Sequence, residues 1–409
     1  MEEREMLKST IAIIVSLLFI TTMVLLLAGP GQAINCPADT IVKCNAESGL
    51  FATPELTPQV YLPIVLRDYG PRSSRLGYCA TDGPITRYPD IRRLAAGWYV
   101  NFGTQRNPPR PLGMEYVQTV RLHQLTMCWP ERTRNRTACP YVTPYTYTLT
   151  SPSTREEITS IAQANPGSLW LIGNEMDRYD WEGGGQDEML PEVYAVAYHE
   201  LYHLIKGADP TAEVAIGGVI QATPARLWYL SEVWNAYKRR YGQDMPVDVW
   251  NVHNFIFKEK CDDYGADVPP GYPYCYGTIY NDNDHDNLDI FKAQIRAFRQ
   301  WMKDRGQQNK PLIVSEYGIV YYHIDRLNDW NTVKTFMLAT FDYFMNEKDC
   351  SLGYPADECR LVQRWAWYSL DDSRGIYNDY SYLFNQTTLQ ITPLGEAYAN
   401  YARNHLDTR

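Results

Sequence analysis

The sequence predicts one large α/β domain, a (β/α)8 TIM barrel, preceded by an N-terminal export segment and a short irregular lead-in. Three observations carry this. From Leu94 onward, short apolar runs alternate with amphipathic stretches of helical period, the pattern of βα units around a parallel sheet. Several of the helical stretches have Pro in their first turn and Gly just past their end. The chain has 409 residues, 45% of them hydrophobic, which is enough to fill a core of that size.

Taken in order, residues 1–33 hold the uncharged run "IAIIVSLLFITTMVLLLAG" and then "PGQA", whose Gly31 and Ala33 suit a signal peptidase. Two readings stay open: a cleaved signal peptide, or a membrane tether through residues 11–29. Residues 34–92 scatter Pro, Gly, Ser and Thr around one apolar island, "VYLPIVL", and read as linker and lead-in, leaving 93–409 as the barrel domain. Strands are predicted at 95–102, 116–124, 168–175, 213–219, 247–255, 311–318 and 363–370. Helices are predicted at 191–206, from Pro224 to near Gly242, at 287–304, at 328–347 and from Pro393. Only seven strands emerge; "YTYTLT" at 145–150 is the candidate eighth, and the helix after it opens with Thr154 and Glu157 as a capping box. Counting back from the C-terminus avoids that gap and puts 168–175 on strand four and 311–318 on strand seven.

Composition narrows the function. A net charge of -10 with no sustained Lys/Arg block excludes a nucleic-acid surface, which needs clustered cations to neutralise phosphates. The 32 Tyr and 11 Trp suit flat amphipathic ligands such as sugar rings, and equally suit a large core. Nine cysteines fit an oxidising compartment, and the short polar intervals between Cys128 and Cys139, Cys261 and Cys275, and Cys350 and Cys359 suggest three local staples. Cys36, Cys44 and Cys79 leave one thiol over. A monomer is expected.

The chemistry is carried by carboxylates. Glu316 in "IVSEYGIV" and Glu175 in "LWLIGNE" each follow an apolar strand, so each would emerge at the C-terminal rim, where barrel enzymes keep their reactive groups. Two glutamates on two strand ends are what glycosidic cleavage needs: an acid for the leaving oxygen, and a carboxylate to attack or to activate water. In their order and spacing, "GNE", "SEYG" and "WAW" resemble the clan of retaining (β/α)8 glycoside hydrolases whose catalytic glutamates end strands four and seven, over about residues 94–408. The resemblance implies Glu175 as general acid/base and Glu316 as nucleophile. It further implies Asn174 holding the hydroxyl beside the anomeric carbon, Arg121 as the strand-two Arg near the nucleophile, His253 as the strand-six His, and Trp367 as a sugar platform. The substrate would be an oligo- or polysaccharide, and no cofactor or metal is needed. Two positions depart from the clan's pattern. Phe255 stands where a Tyr commonly bonds the nucleophile, with Tyr317 and Tyr368 as substitutes, and Met176 follows Glu175 where Pro is usual.

Other signals are weaker. "NDNDHDN" at 281–287 spaces Asp282, Asp284 and Asp286 like the start of a calcium loop but lacks its Gly and closing Glu. A metal-dependent hydrolase using Asp282, Asp284 and His285 is one rival reading. "EGGGQDE" at 182–188 reads as a flexible rim loop. No Gly-x-Ser-x-Gly and no HExxH occurs. The remaining rival is a catalytically silent carbohydrate-binding or cell-surface protein on the same scaffold.

Overall fold

The computed structural model describes residues 70–180, 185–372, 375 and 377–407. The export segment and most of the lead-in fall outside the described residues; among the described residues no helix is long and apolar enough to cross a membrane.

The strands are β1 (Ser73–Cys79), β2 (Ala96–Val100), β3 (Glu115–Gln124), β4 (Tyr147–Ser151), β5 (Leu169–Ile172), β6 (Glu213–Ile216), β7 (Trp250–His253), β8 (Leu312–Tyr317) and β9 (Arg364–Trp367). All but β4 run parallel in the order β6-β5-β3-β2-β1-β9-β8-β7, and the bridges Ala215 to Val249 and Val219 to Val252 join β6 to β7 and close the ring. Eight parallel strands therefore form a barrel. The helices are α1 (Arg155–Ala164), α2 (Pro191–Ala208), α3 (Pro224–Tyr241), α4 (Leu288–Lys303), α5 (Trp330–Asn346) and α6 (Pro393–Asn404). They follow barrel strands three to eight, whereas the first two connections contain only short 3-10 turns.

Two expectations are corrected. The missing strand is not 145–150, because β4 pairs antiparallel with the far end of β3 as a flap outside the ring. It is β1, which lies inside the stretch read as lead-in. Its sequence "SSRLGYC" hides it, since Gly is unfavourable in a strand interior and the apolar run is short. Gly77 is there for contact: a Cβ would sit 2.5 Å from the Trp98 ring of β2. The capping box is also only half made. Thr154 accepts from the Glu157 backbone, but the Glu157 carboxylate reaches Ser153 instead of Thr154.

The core has two layers. Val100, Val117, Leu171, Ala215, Val249, Ile313 and Ala366 fill the barrel interior, and a larger outer layer binds strands to helices. Strand alternation sends neighbours to opposite layers. On β9, Ala366 faces the interior, while Trp365 and Trp367 face the helices.

Of the three expected staples, Cys128–Cys139 and Cys350–Cys359 are formed. Cys261 and Cys275 are neighbouring free thiols that hydrogen-bond each other, so the third pairing is not closed. Cys79 is buried at the end of β1, its thiol donating to the Ser315 carbonyl at 3.3 Å.

Candidate active site

Glu175 lies just beyond β5, the fourth barrel strand, and Glu316 lies on β8, the seventh. The chain turns sharply at Glu175, which has a left-handed backbone (φ 51°) and donates its N–H to the Gly218 carbonyl at 3.0 Å. Glu316 pairs across the ladder with His253 at the end of β7, where a register shift re-aims both side chains. Gly218 leaves the space that His253 needs, since a Cβ there would lie 2.1 Å from the imidazole. Side-chain oxygens of Glu175 and Glu316 and a ring nitrogen of His253 consequently all lie within 4.8 Å of one another. His253 Nδ1 is 3.3 Å from Glu175 Oε1 and 3.7 Å from Glu316 Oε2.

Charge is distributed unevenly over the pair. Arg178 binds Glu175 Oε2 at 2.8 Å, and the Gln186 amide donates to the same oxygen at 3.3 Å. Burial alone would raise the Glu175 pKa, but Arg178 and then His253 outweigh it and hold it at about 2. Burial likewise disfavours the charged form of His253, yet Glu316 and Glu175 together push its pKa up. Asp177, beside them, goes the other way: burial raises it to about 6 despite Arg226. Arg178 and His253 thus favour the ionised form of Glu175.

The remaining expected residues are scattered. Asn174 stays at the strand end, its backbone N–H donating to Asp187 at 2.9 Å and its amide to the Gly185 carbonyl at 3.4 Å. Arg121 is on the third barrel strand, not the second, and its guanidinium is clamped on buried Asp187 through Nε at 2.9 Å and Nη2 at 2.8 Å. Trp367 is unavailable as a platform: it is fully buried, donates to the Ser381 carbonyl at 2.9 Å and packs on Tyr317, Phe336 and Phe341. Its neighbour Tyr368 has the inward position, 6.3 Å from the Phe255 ring and 6.4 Å from Phe102, with its hydroxyl on Asp372 at 3.2 Å. Tyr317 points to the helices and bonds Thr340, which removes it as the substitute for the missing Tyr.

Sequence reasoning missed Arg178, although the signal was present. Arg178 lies only three residues after Glu175, close enough in sequence for its guanidinium to meet that carboxylate across a turn. It also misread part of "EGGGQDE". Asp187 and Glu188 are fully buried anchors on Arg121 and Arg136. Residues 181–184 lie outside the described residues.

Among the described residues, two side-chain sets have donor spacings a cation could use: Glu175, His253 and Glu316, and the buried His123, Asp180 and Glu188. In both, guanidinium groups already meet the carboxylates, Arg178 in the first and Arg132 and Arg136 in the second. The acidic run at 281–287 is likewise spent on structure. Asn281 caps a 3-10 turn, Asp282 accepts from the Tyr264 hydroxyl, Asp286 pairs with Arg326, and Asn287 caps α4. His285 turns inward, its ring nitrogens meeting the Ile256 carbonyl and the Val320 N–H, and burial lowers its pKa to about 4. These side chains do not converge on one point.

No protein-family model matches the chain. No curated protein matches it either. Solved structures to which the chain is similar include two endo-β-1,3-glucanases and an oligosaccharide-binding protein. A GH128 (subgroup II) endo-β-1,3-glucanase from Sorangium cellulosum is 16% identical, with 80% of this chain and 97% of that one covered and a TM-score of 0.47. A GH128 (subgroup I) endo-β-1,3-glucanase from Amycolatopsis mediterranei, in complex with laminaritriose, is 14% identical (80% and 99% covered, TM-score 0.48). A GH128 (subgroup VII) oligosaccharide-binding protein from Trichoderma gamsii is 13% identical (83% and 96% covered, TM-score 0.48).

Proposed function

We propose that the protein is an exported glycoside hydrolase that cleaves O-glycosidic bonds of oligo- or polysaccharides with retention of configuration. One observation carries this reading: carboxylate oxygens of Glu175 and Glu316, from opposite parts of the chain, lie within 4.8 Å of each other at the barrel's C-terminal rim. Retaining enzymes keep their carboxyl groups about 5 to 5.5 Å apart, whereas inverting enzymes need about 6.5 to 9.5 Å to fit a water between sugar and base. The spacing favours direct attack. In the first step a Glu316 oxygen bonds to the anomeric carbon as the bond to the leaving oxygen breaks, and Glu175 gives its proton to that oxygen. In the second step water attacks the same carbon, Glu175 takes its proton, and the ester to Glu316 breaks. His253, beside both carboxylates, orients them. Export is supported by the two disulfides and the apolar N-terminal run.

A second reading, a carbohydrate-binding protein without hydrolysis, is favoured by the Arg178 pairing of Glu175 and by Phe255 where the clan commonly has Tyr. Hydrolysis of a glycan panel followed by proton NMR separates the two. The first-formed sugar is expected to keep the anomeric configuration of its substrate. An inverted first product would remove the double displacement, and binding without any cleavage would favour the second reading.

A further inference from the structure

We propose that Arg178 is a positioning residue: its two-ended clamp latches the Glu175 carboxylate to the loop at Gly265, and it must leave that carboxylate before the glutamate can donate a proton. This rests on the reading of Glu175 as the acid/base.

The geometry is that of a clamp with two ends. One Arg178 nitrogen, Nη1, lies 2.8 Å from Glu175 Oε2, and the other, Nη2, donates to the Gly265 carbonyl at 2.9 Å. Gly265 belongs to the connection after β7, so Arg178 ties the loop beyond the fourth barrel strand to the loop beyond the sixth, across the glutamate. The Arg178 side chain is 13% exposed and that of Glu175 5%, so solvent screens the pair little. Gln186 reinforces the anion from the same side. The other charged groups facing Glu175 are His253, Glu316 and Asp177, with Arg121 farther off. Glu316 and Asp177 favour a proton on Glu175, while His253, Arg178 and Arg121 oppose it. Arg178 is the largest of the opposing effects.

A general acid must carry its proton when substrate arrives. With Arg178 in place Glu175 does not, so the glutamate becomes competent only when the guanidinium moves aside. Both of its anchors are on connecting loops, the elements best able to move when a ligand enters.

The test compares the wild type with Arg178→Met and Arg178→Lys. Carbon NMR of the glutamate carboxyls, with the Glu175 signal assigned by its loss in Glu175→Gln, follows ionisation without needing activity. Wild-type Glu175 is expected to stay ionised down to about pH 3, and Arg178→Met to raise its midpoint by about one to three pH units. Arg178→Lys keeps the charge and is expected to fall between. On 4-nitrophenyl glycosides the alkaline limb of kcat/KM is expected to move upward in Arg178→Met with the carboxyl titration, while a loss in thermal midpoint alone would mark a merely structural tie between loops. An unmoved Glu175 titration overturns the proposal, and so does an alkaline limb that stays fixed while the titration moves. If the titration moves but neither protein cleaves any glycoside, Arg178's hold on Glu175 stands and the two-step hydrolysis of the preceding subsection fails.

Discussion

Replacing Glu316 by glycine is expected to lower kcat/KM roughly ten-thousand-fold or more, because a covalent route loses its attacking atom and no neighbour can supply another. The candidates nearest to it are poor substitutes. Cys79, whose thiol pKa is pushed up chiefly by burial, stays protonated without the Glu316 charge, and His253 keeps its contact with Glu175 at 3.3 Å. Glycine leaves a space the size of the lost carboxyethyl group, into which azide or formate can enter. Added azide should then attack the face Glu316 used to attack and give a glycosyl azide of inverted configuration, since one displacement replaces two. Normal turnover in Glu316→Gly would end the account of the nucleophile.

The largest expected effect on stability lies one shell away. Arg226 of α3 has no solvent exposure. It binds Glu259 at 2.9 Å and Asp177 at 3.2 Å and donates to the carbonyls of Asp177, Ala266 and Asp267. Glu259, equally buried, also accepts from the Thr223 hydroxyl and the Thr278 backbone. One guanidinium thus fastens the loop carrying Glu175 and Arg178 to the loop that receives Arg178 at Gly265. Arg226→Met conserves most of the volume but strands two buried carboxylates, a change expected to cost about 3 to 5 kcal/mol in urea unfolding. The exposed pair Lys238–Asp244 provides the contrast: Lys238→Ala should change stability by less than about 0.5 kcal/mol. A small effect at Arg226 would show that the loops are held by other contacts.

The second half of the barrel was legible because its strands are apolar and its helices are punctuated. Pro191, Pro224 and Pro393 open helices where Pro is tolerated, and Gly242 ends one with the left-handed backbone (φ 69°) that Gly adopts freely. The first barrel strand was illegible for the opposite reason. Ser73, Ser74 and Gly77 make β1 look like linker, and what it supplies to the core depends on Trp98, more than twenty residues away. The two glutamates could be read from strand ends alone, since a rim position follows from an apolar run. Their charge state could not, because it depends on Arg178 and His253 being folded over them. Trp367 failed by a single step of strand alternation: position 368, not 367, faces the barrel interior, and sequence gives no register when both faces are apolar.

The most direct measurement is covalent trapping. A 2-deoxy-2-fluoro glycoside with a good leaving group slows the second displacement more than the first, so the glycosyl ester accumulates and mass spectrometry of peptides locates it. One fluoroglycosyl group on Glu316 of the wild type, and none in Glu316→Gln, is the result expected here. A label on any other side chain, or steady cleavage with an inverted first product and no label, would contradict it.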